Sequence, residues 1–116
     1  MSFERIEGQD RGYVEADLLN TEDKKKVLTA LNNLFPNSKF REMEGKLVGD
    51  VDLTFFKKIL EKEKIRAAIE SVLDENITGQ HSYINLNKSA ALYGKVALDE
   101  DSPVGKIRLQ VPWKKA

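Results

Sequence analysis

The stretch ITGQHSYINLNKSAALYGKVAL, Ile77 to Leu98, constrains the fold more than any other part of this chain. Gly79 opens a strand in which Ser82, Ile84 and Leu86 fall on one side and His81, Tyr83, Asn85 and Asn87 on the other, because successive strand side chains alternate. The first set belongs to a core. Asn87 offers a side-chain oxygen to the free amides of a short helix, Lys88 to Leu92, and Gly94 releases the chain into a further strand, Lys95 to Leu98. Strand, cap, helix and strand thus form one compact unit with a packed side and an open side.

The rest of the chain supplies the partners such a unit needs. Met1 to Gly12 has no sustained period and reads as a loose tail, residues 1–12, ahead of a single domain spanning 13–116. From Tyr13 to Leu19, Val14, Ala16 and Leu18 alternate with Glu15 and Asp17, the pattern of a half-buried strand. Asn20 and Thr21, followed by Glu22 and Asp23, suit the start of a helix whose apolar stripe is Val27, Ala30 or Leu31, and Leu34; Pro36 and Asn37 stop it. FREME and KLVGDV pair as a hairpin turning at Glu44 and Gly45. Asp50 or Asp52 caps a helix facing inward through Phe55, Phe56, Ile59 and Leu60, and a second apolar period from Ile65 to Leu73 follows a bend near Glu63. Ile107, Leu109 and Val111 mark a last strand, ended by Pro112. The predicted architecture is a single α+β domain, a mostly antiparallel or mixed sheet of about six strands packed against three main helices.

Charge and composition narrow the chemistry. Nineteen basic residues balance nineteen acidic ones, so any surface for a polyanion must be a local patch. The chain has no cysteine, which removes disulfides, thiolate metal sites and cysteine nucleophiles together. The amino terminus lacks the apolar core of a secretory signal and no run approaches a membrane span, so the expected location is cytoplasmic, without membrane association. No catalytic, cofactor or metal motif stands out. Asp99, Glu100 and Asp101 cluster beside Pro103 and read as a solvated turn rather than a Mg²⁺ site, and His81 has no partner acid or nucleophile at a recognisable spacing. The expectation is a nonenzymatic protein with neither cofactor nor metal.

The polar face of the Ile77–Leu98 unit is the candidate site. Tyr83 is a stackable ring flanked by the hydrogen-bonding groups of His81, Asn85 and Asn87, the chemistry by which sheet surfaces receive unpaired bases, and Lys88 and Lys95 flank the following turn as phosphate-positioning cations. The competing reading is an ordinary solvated sheet face on a protein-interaction or self-assembling module, completed by a second copy or another protein. Trp113 is expected to dock on the body of the domain.

Several strings carry a resemblance: NTED before a helix ending NLFPN, the LVGD hairpin arm, INLNKSAALYGKVAL, and DEDSPVGKIRLQV. Together, from about Tyr13 to Val111, they resemble a family of small, uncharacterised archaeal proteins with a fold like the ribosomal protein that binds 5S RNA. The most specific part is LNKSAALYGKV, where Asn87, Lys88, Ala90, Ala91 and Gly94 stand in the family's order. The resemblance implies an α+β fold, self-association and an RNA-binding role, with a longer branch of relatives linked to the RNA-degrading exosome. The sequence departs from a strongly basic RNA binder in its zero net charge, and in having His81 and Ser82 where a more basic pair is expected.

Overall fold

A computed structural model of the chain describes residues 8–19, 22–99 and 106–113. The elements run β1 (Arg11–Asp17), α1 (Lys24–Leu34), β2 (Arg41–Met43), β3 (Lys46–Asp52), α2 (Thr54–Glu63), α3 (Arg66–Glu75), β4 (His81–Leu86), α4 (Lys88–Leu92) and β5 (Ile107–Pro112). The strands form one antiparallel sheet in the order β2-β3-β1-β5-β4. The first strand in sequence is therefore central, and the last lies between it and β4.

The domain is α+β, and among the described residues it has five strands where six are expected and four helices, three of them substantial. The sixth, Lys95 to Leu98, is reduced to one isolated bridge, Leu86 with Leu98, supported by Asn87 N–H to Ala97 O and Asp99 N–H to Asn85 O, both 2.9 Å. After the Gly94 exit only Ala97 to Asp99 runs beside β4, too short for a ladder. β1 begins at Arg11, two residues before the alternation becomes legible, because core-side Gly12 has no side chain to mark its position.

The three longer helices each bury one stripe against the same sheet face. Val27, Ala30, Leu31 and Leu34 of α1, Phe56, Ile59 and Leu60 of α2, and Ile69 and Leu73 of α3 meet Val14, Ala16, Leu47, Val51, Ile84, Leu86, Ile107, Leu109 and Val111 in one core. Phe55 is exposed rather than inward-facing, since it lies about 100° round the helix from Phe56. Trp113 docks as expected, 3% exposed, and its indole N–H donates to Asp74 Oδ1 at 3.0 Å.

Local chemistry sets the element ends. Asp23 caps α1 by accepting from Lys25 N–H at 2.9 Å; the suggested caps Asn20 and Thr21 lie outside the described residues. Glu44 and Gly45 both have positive φ, 52° and 78°, as a two-residue hairpin turn demands. Lys64, at φ 57°, breaks the run between α2 and α3 at the predicted bend. Gly49 cannot carry a side chain, because a Cβ there would sit 2.4 Å from the carbonyl oxygen of Lys39.

At the start of α2, Asp52 Oδ1 accepts from Thr54 N–H at 2.8 Å. Hydrogen bonding from Thr54, with smaller help from Arg11 and Lys57, holds the Asp52 carboxyl below its ordinary pKa. A carboxyl depressed in the folded state contributes stability above its unfolded pKa and loses it as pH falls through the folded value. Asp52→Asn is therefore expected to lower the urea midpoint at pH 7 and to leave it nearly unchanged in strong acid. Equal loss at both pH values would refute the charge-based origin.

Candidate nucleic-acid interface

Strand alternation sends one set of side chains to the helices and the other to an opposite face on which no described helix packs. Register then decides which of the outer residues are neighbours. Tyr13 of β1 and Tyr83 of β4 both stand opposite Gln110 of β5, giving the row Asp50, Tyr13, Gln110, Tyr83 across four strands. By ordinary strand spacing the two tyrosines stand roughly 10 Å apart, one on each side of Gln110. The adjacent row is Arg41, Val48, Glu15, Arg108, Asn85.

Arg108 joins these rows. Its guanidinium lies 4.5 Å from the Tyr83 ring centroid, a cation–π contact, and its Nε donates to Asn85 Oδ1 at 3.3 Å. A guanidinium held over a tyrosine ring is positioned to meet either a phosphate or a base plane. His81 stands opposite Pro112 at the end of β4 and, with Arg11, Tyr13 and Gln110, borders a shallow hollow of about 280 Å³.

The outer face is divided by charge. Along β4 and β5 it presents His81, Tyr83, Asn85, Arg108, Gln110 and Pro112, with no carboxylate. Along β1 and β3 it presents Glu15, Asp17, Asp50 and Asp52, offset in part by Arg11 and by Lys46, whose Nζ lies 3.5 Å from Glu15 Oε2. A chain of zero net charge thus carries a local strip without acidic groups, and it coincides with Tyr83.

The six predicted site residues divide in two. His81, Tyr83 and Asn85 share the outer face. Asn87 instead spends its side chain on the N-cap of α4, accepting from Ala90 N–H at 2.9 Å. Lys88 is 7% exposed; its Nζ pairs with Glu22 Oε1 at 2.7 Å and donates to the Asp17 carbonyl, tying α4 to the connection after β1. Lys95 is exposed just past the α4 exit, away from the sheet rows, with its N–H bonded to Ala90 O. Burial of Lys88 follows from Ala91 and Leu92 packing towards α1, which draws Lys88, about one turn earlier, beneath Glu22.

Sequence reading missed Tyr13, Arg108 and Gln110. Their outward alternation is visible in β1 and β5, but nothing local says that β5 inserts between β1 and β4. It also misplaced Asp99, which is 8% exposed rather than part of a solvated turn; Glu100 and Asp101 lie outside the described residues. Among the described residues no group of three or more His, Asp or Glu side chains is arranged to hold a metal ion, and no helix is long and apolar enough to cross a membrane.

An α+β module with an aromatic sheet face on which no described helix packs is the class that fold and site define. The family model described as RNA binding matches residues 13–111, and the chain belongs to that family. Similar proteins include the UPF0201 protein of Sulfolobus acidocaldarius, 31% identical over 90% of this chain and 79% of that protein, and a UPF0201 protein of Pyrococcus horikoshii, 32% identical over 97% and 83%. The crystal structure of a UPF0201 protein from Methanococcus jannaschii superposes with a TM-score of 0.79 at 30% identity, covering 90% of this chain and 82% of that one.

Proposed function

We propose that this chain is a nonenzymatic RNA-associated module that receives unpaired bases on the outer face of β4 and β5. The observation that carries this reading is Tyr83 with Arg108 laid on it, beside Gln110 and Asn85, on a β4–β5 strip free of carboxylates, with Tyr13 across Gln110 at the border with acidic β1. Stacking on Tyr83 supplies sequence-tolerant affinity and Arg108 supplies a phosphate contact, while the carboxylates of β1 and β3 confine the strand to the β4–β5 half of the sheet, with Tyr13 and Arg11 at its border. Membership of the RNA-binding family supports the same reading.

Titration of a fluorescently labelled single-stranded RNA at low and moderate salt tests it. Stacking on one aromatic is worth about 1–3 kcal/mol, so Tyr83→Ala is expected to weaken binding by roughly 5- to 150-fold. Arg108→Ala is expected to flatten the salt dependence by about one unit of slope. No saturable binding at low salt, or binding indifferent to both substitutions, overturns the proposal. The alternative, a protein-interaction or self-assembling module, has its best foothold at the edge strand β2, where Met43 is half exposed. A mass that rises across a concentration series in sedimentation, with no RNA binding, would favour it.

A further inference from the structure

Beside the stacking strip, the outer edge of β4 contains a notch of about 260 Å³ whose donors and acceptors have a specific arrangement. It lies between the end of α3 and the Leu98–Asp99 segment, and is lined by Tyr83, Asn85, Glu75, Asn76 and Asp99. Asp99 is the unusual member. It is more than nine-tenths buried, and its Oδ2 has no hydrogen-bond partner among the described residues. A buried carboxylate oxygen left in this state is a strong acceptor awaiting a donor.

The same edge offers donors. In an antiparallel strand alternate residues point their backbone groups to the same side. Asn85 O accepts from Asp99 N–H at 2.9 Å, Asn87 N–H donates to Ala97 O, and Tyr83 O accepts from Asn76 Nδ2 at 3.1 Å, so the odd-numbered residues of β4 face the notch. The N–H groups of Tyr83 and Asn85 therefore face it too, and neither meets an acceptor among the described residues. Asn85 and Asp99 exchange one of the two bonds that a regular pair would exchange.

Two free backbone donors next to a free carboxylate acceptor are the complement of one base. We infer that this notch takes a guanine, its O6 accepting from the Tyr83 or Asn85 N–H and its N1–H and N2–H donating to the Asp99 carboxylate. Among the four RNA bases only guanine presents an acceptor followed by two donors on its Watson–Crick edge; adenine, cytosine and uracil each set an acceptor against the carboxylate. The volume is slightly below the about 300 Å³ at which pockets begin to hold whole drug-sized ligands, which suits a single base. Glu75 beside it disfavours a phosphate, so the backbone runs outward over Arg108. The inference rests on the RNA reading and adds a base preference to it.

The test compares uridine-rich oligonucleotides that carry one central guanosine, inosine or adenosine, titrated against the wild-type chain and Asp99→Asn. The guanosine oligonucleotide is expected to bind on the order of tenfold or more tighter than the adenosine one, because its edge satisfies charge-assisted hydrogen bonds that adenine leaves unmade. Inosine, lacking only the N2 amine, is expected to fall between them, and Asp99→Asn to erase the differences. The inosine comparison uses only the wild-type chain and stands even if the variant fails to fold. Equal binding of all three, still dependent on Tyr83, overturns the guanine site and leaves the RNA reading intact. Failure of all three to bind overturns both. Asp99-dependent binding of an arginine-rich peptide, without discrimination among the three oligonucleotides, overturns the base assignment in favour of a guanidinium from a protein partner.

Discussion

Lys88→Ala is expected to lower the unfolding free energy by about 3 kcal/mol, towards the low end of the 3–5 kcal/mol seen when one partner of a buried ion pair is removed. Lys88 is 7% exposed, and its ammonium holds both the Glu22 carboxylate, at 2.7 Å, and the carbonyl of Asp17. Truncation leaves a partly buried carboxylate and a carbonyl at the end of a central strand without that donor. The low end applies because the Glu22 side chain keeps 22% of its exposure and can regain some water. Domains of this kind have total stabilities of about 5–15 kcal/mol, so the loss is a large fraction. Urea denaturation measures it. In a double-mutant cycle, Lys88→Met with Glu22→Gln is expected to be less damaging than the sum of the single changes, because the pair leaves no charge stranded. A change below about 0.5 kcal/mol, the size typical of an ordinary surface substitution, would refute the buried-pair account. Weaker RNA binding by a Lys88 variant is accordingly to be read as partial unfolding unless its stability is measured alongside.

Phe56→Ala is expected to be more damaging still, at about 3–5 kcal/mol, the range for emptying a large aromatic from a core. Phe56 is fully buried, and its ring stacks on Phe35 with centroids 5.2 Å apart and an interplanar angle of 28°. The contact joins α2 to the residue that closes α1, so its loss opens a cavity where both helices meet the sheet. Phe55→Ala, one residue earlier at 44% exposure, is expected to change stability by no more than about 0.5 kcal/mol. Thermal melts of the two variants side by side provide the check. Equal destabilisation would mean that α2 presents a different face to the core.

Much of this architecture is legible without coordinates, for a local reason. Alternation in HSYINL is a property of six consecutive residues, and it separates Ser82, Ile84 and Leu86 from His81, Tyr83 and Asn85 whatever the rest of the chain does. The Asn87 cap, the Glu44–Gly45 turn and the Lys64 bend are equally short-range, since each is set by one or two backbone angles. A predicted strand at Lys95 to Leu98 failed because strand existence also requires a neighbour of matching length, which Ala97 to Asp99 is too short to use.

The amino-acid sequence by itself determined which residues share a side of each strand, where α4 begins and where the α2–α3 run bends, and that Tyr83 stands on the polar side. Only the tertiary structure decided who stands beside it. Burial of one common apolar face places β5 between β1 and β4, and this non-local choice sets Arg108 on Tyr83 and brings Tyr13 into the same row. The same packing reassigned the charges. Lys88, a surface cation to any local rule, is drawn under Glu22, and Asp99, an acid in a polar run, is drawn against the β4 edge, where it lines the notch. Burial of a charge depends on which distant segment packs over it, and side-chain periodicity carries no record of that.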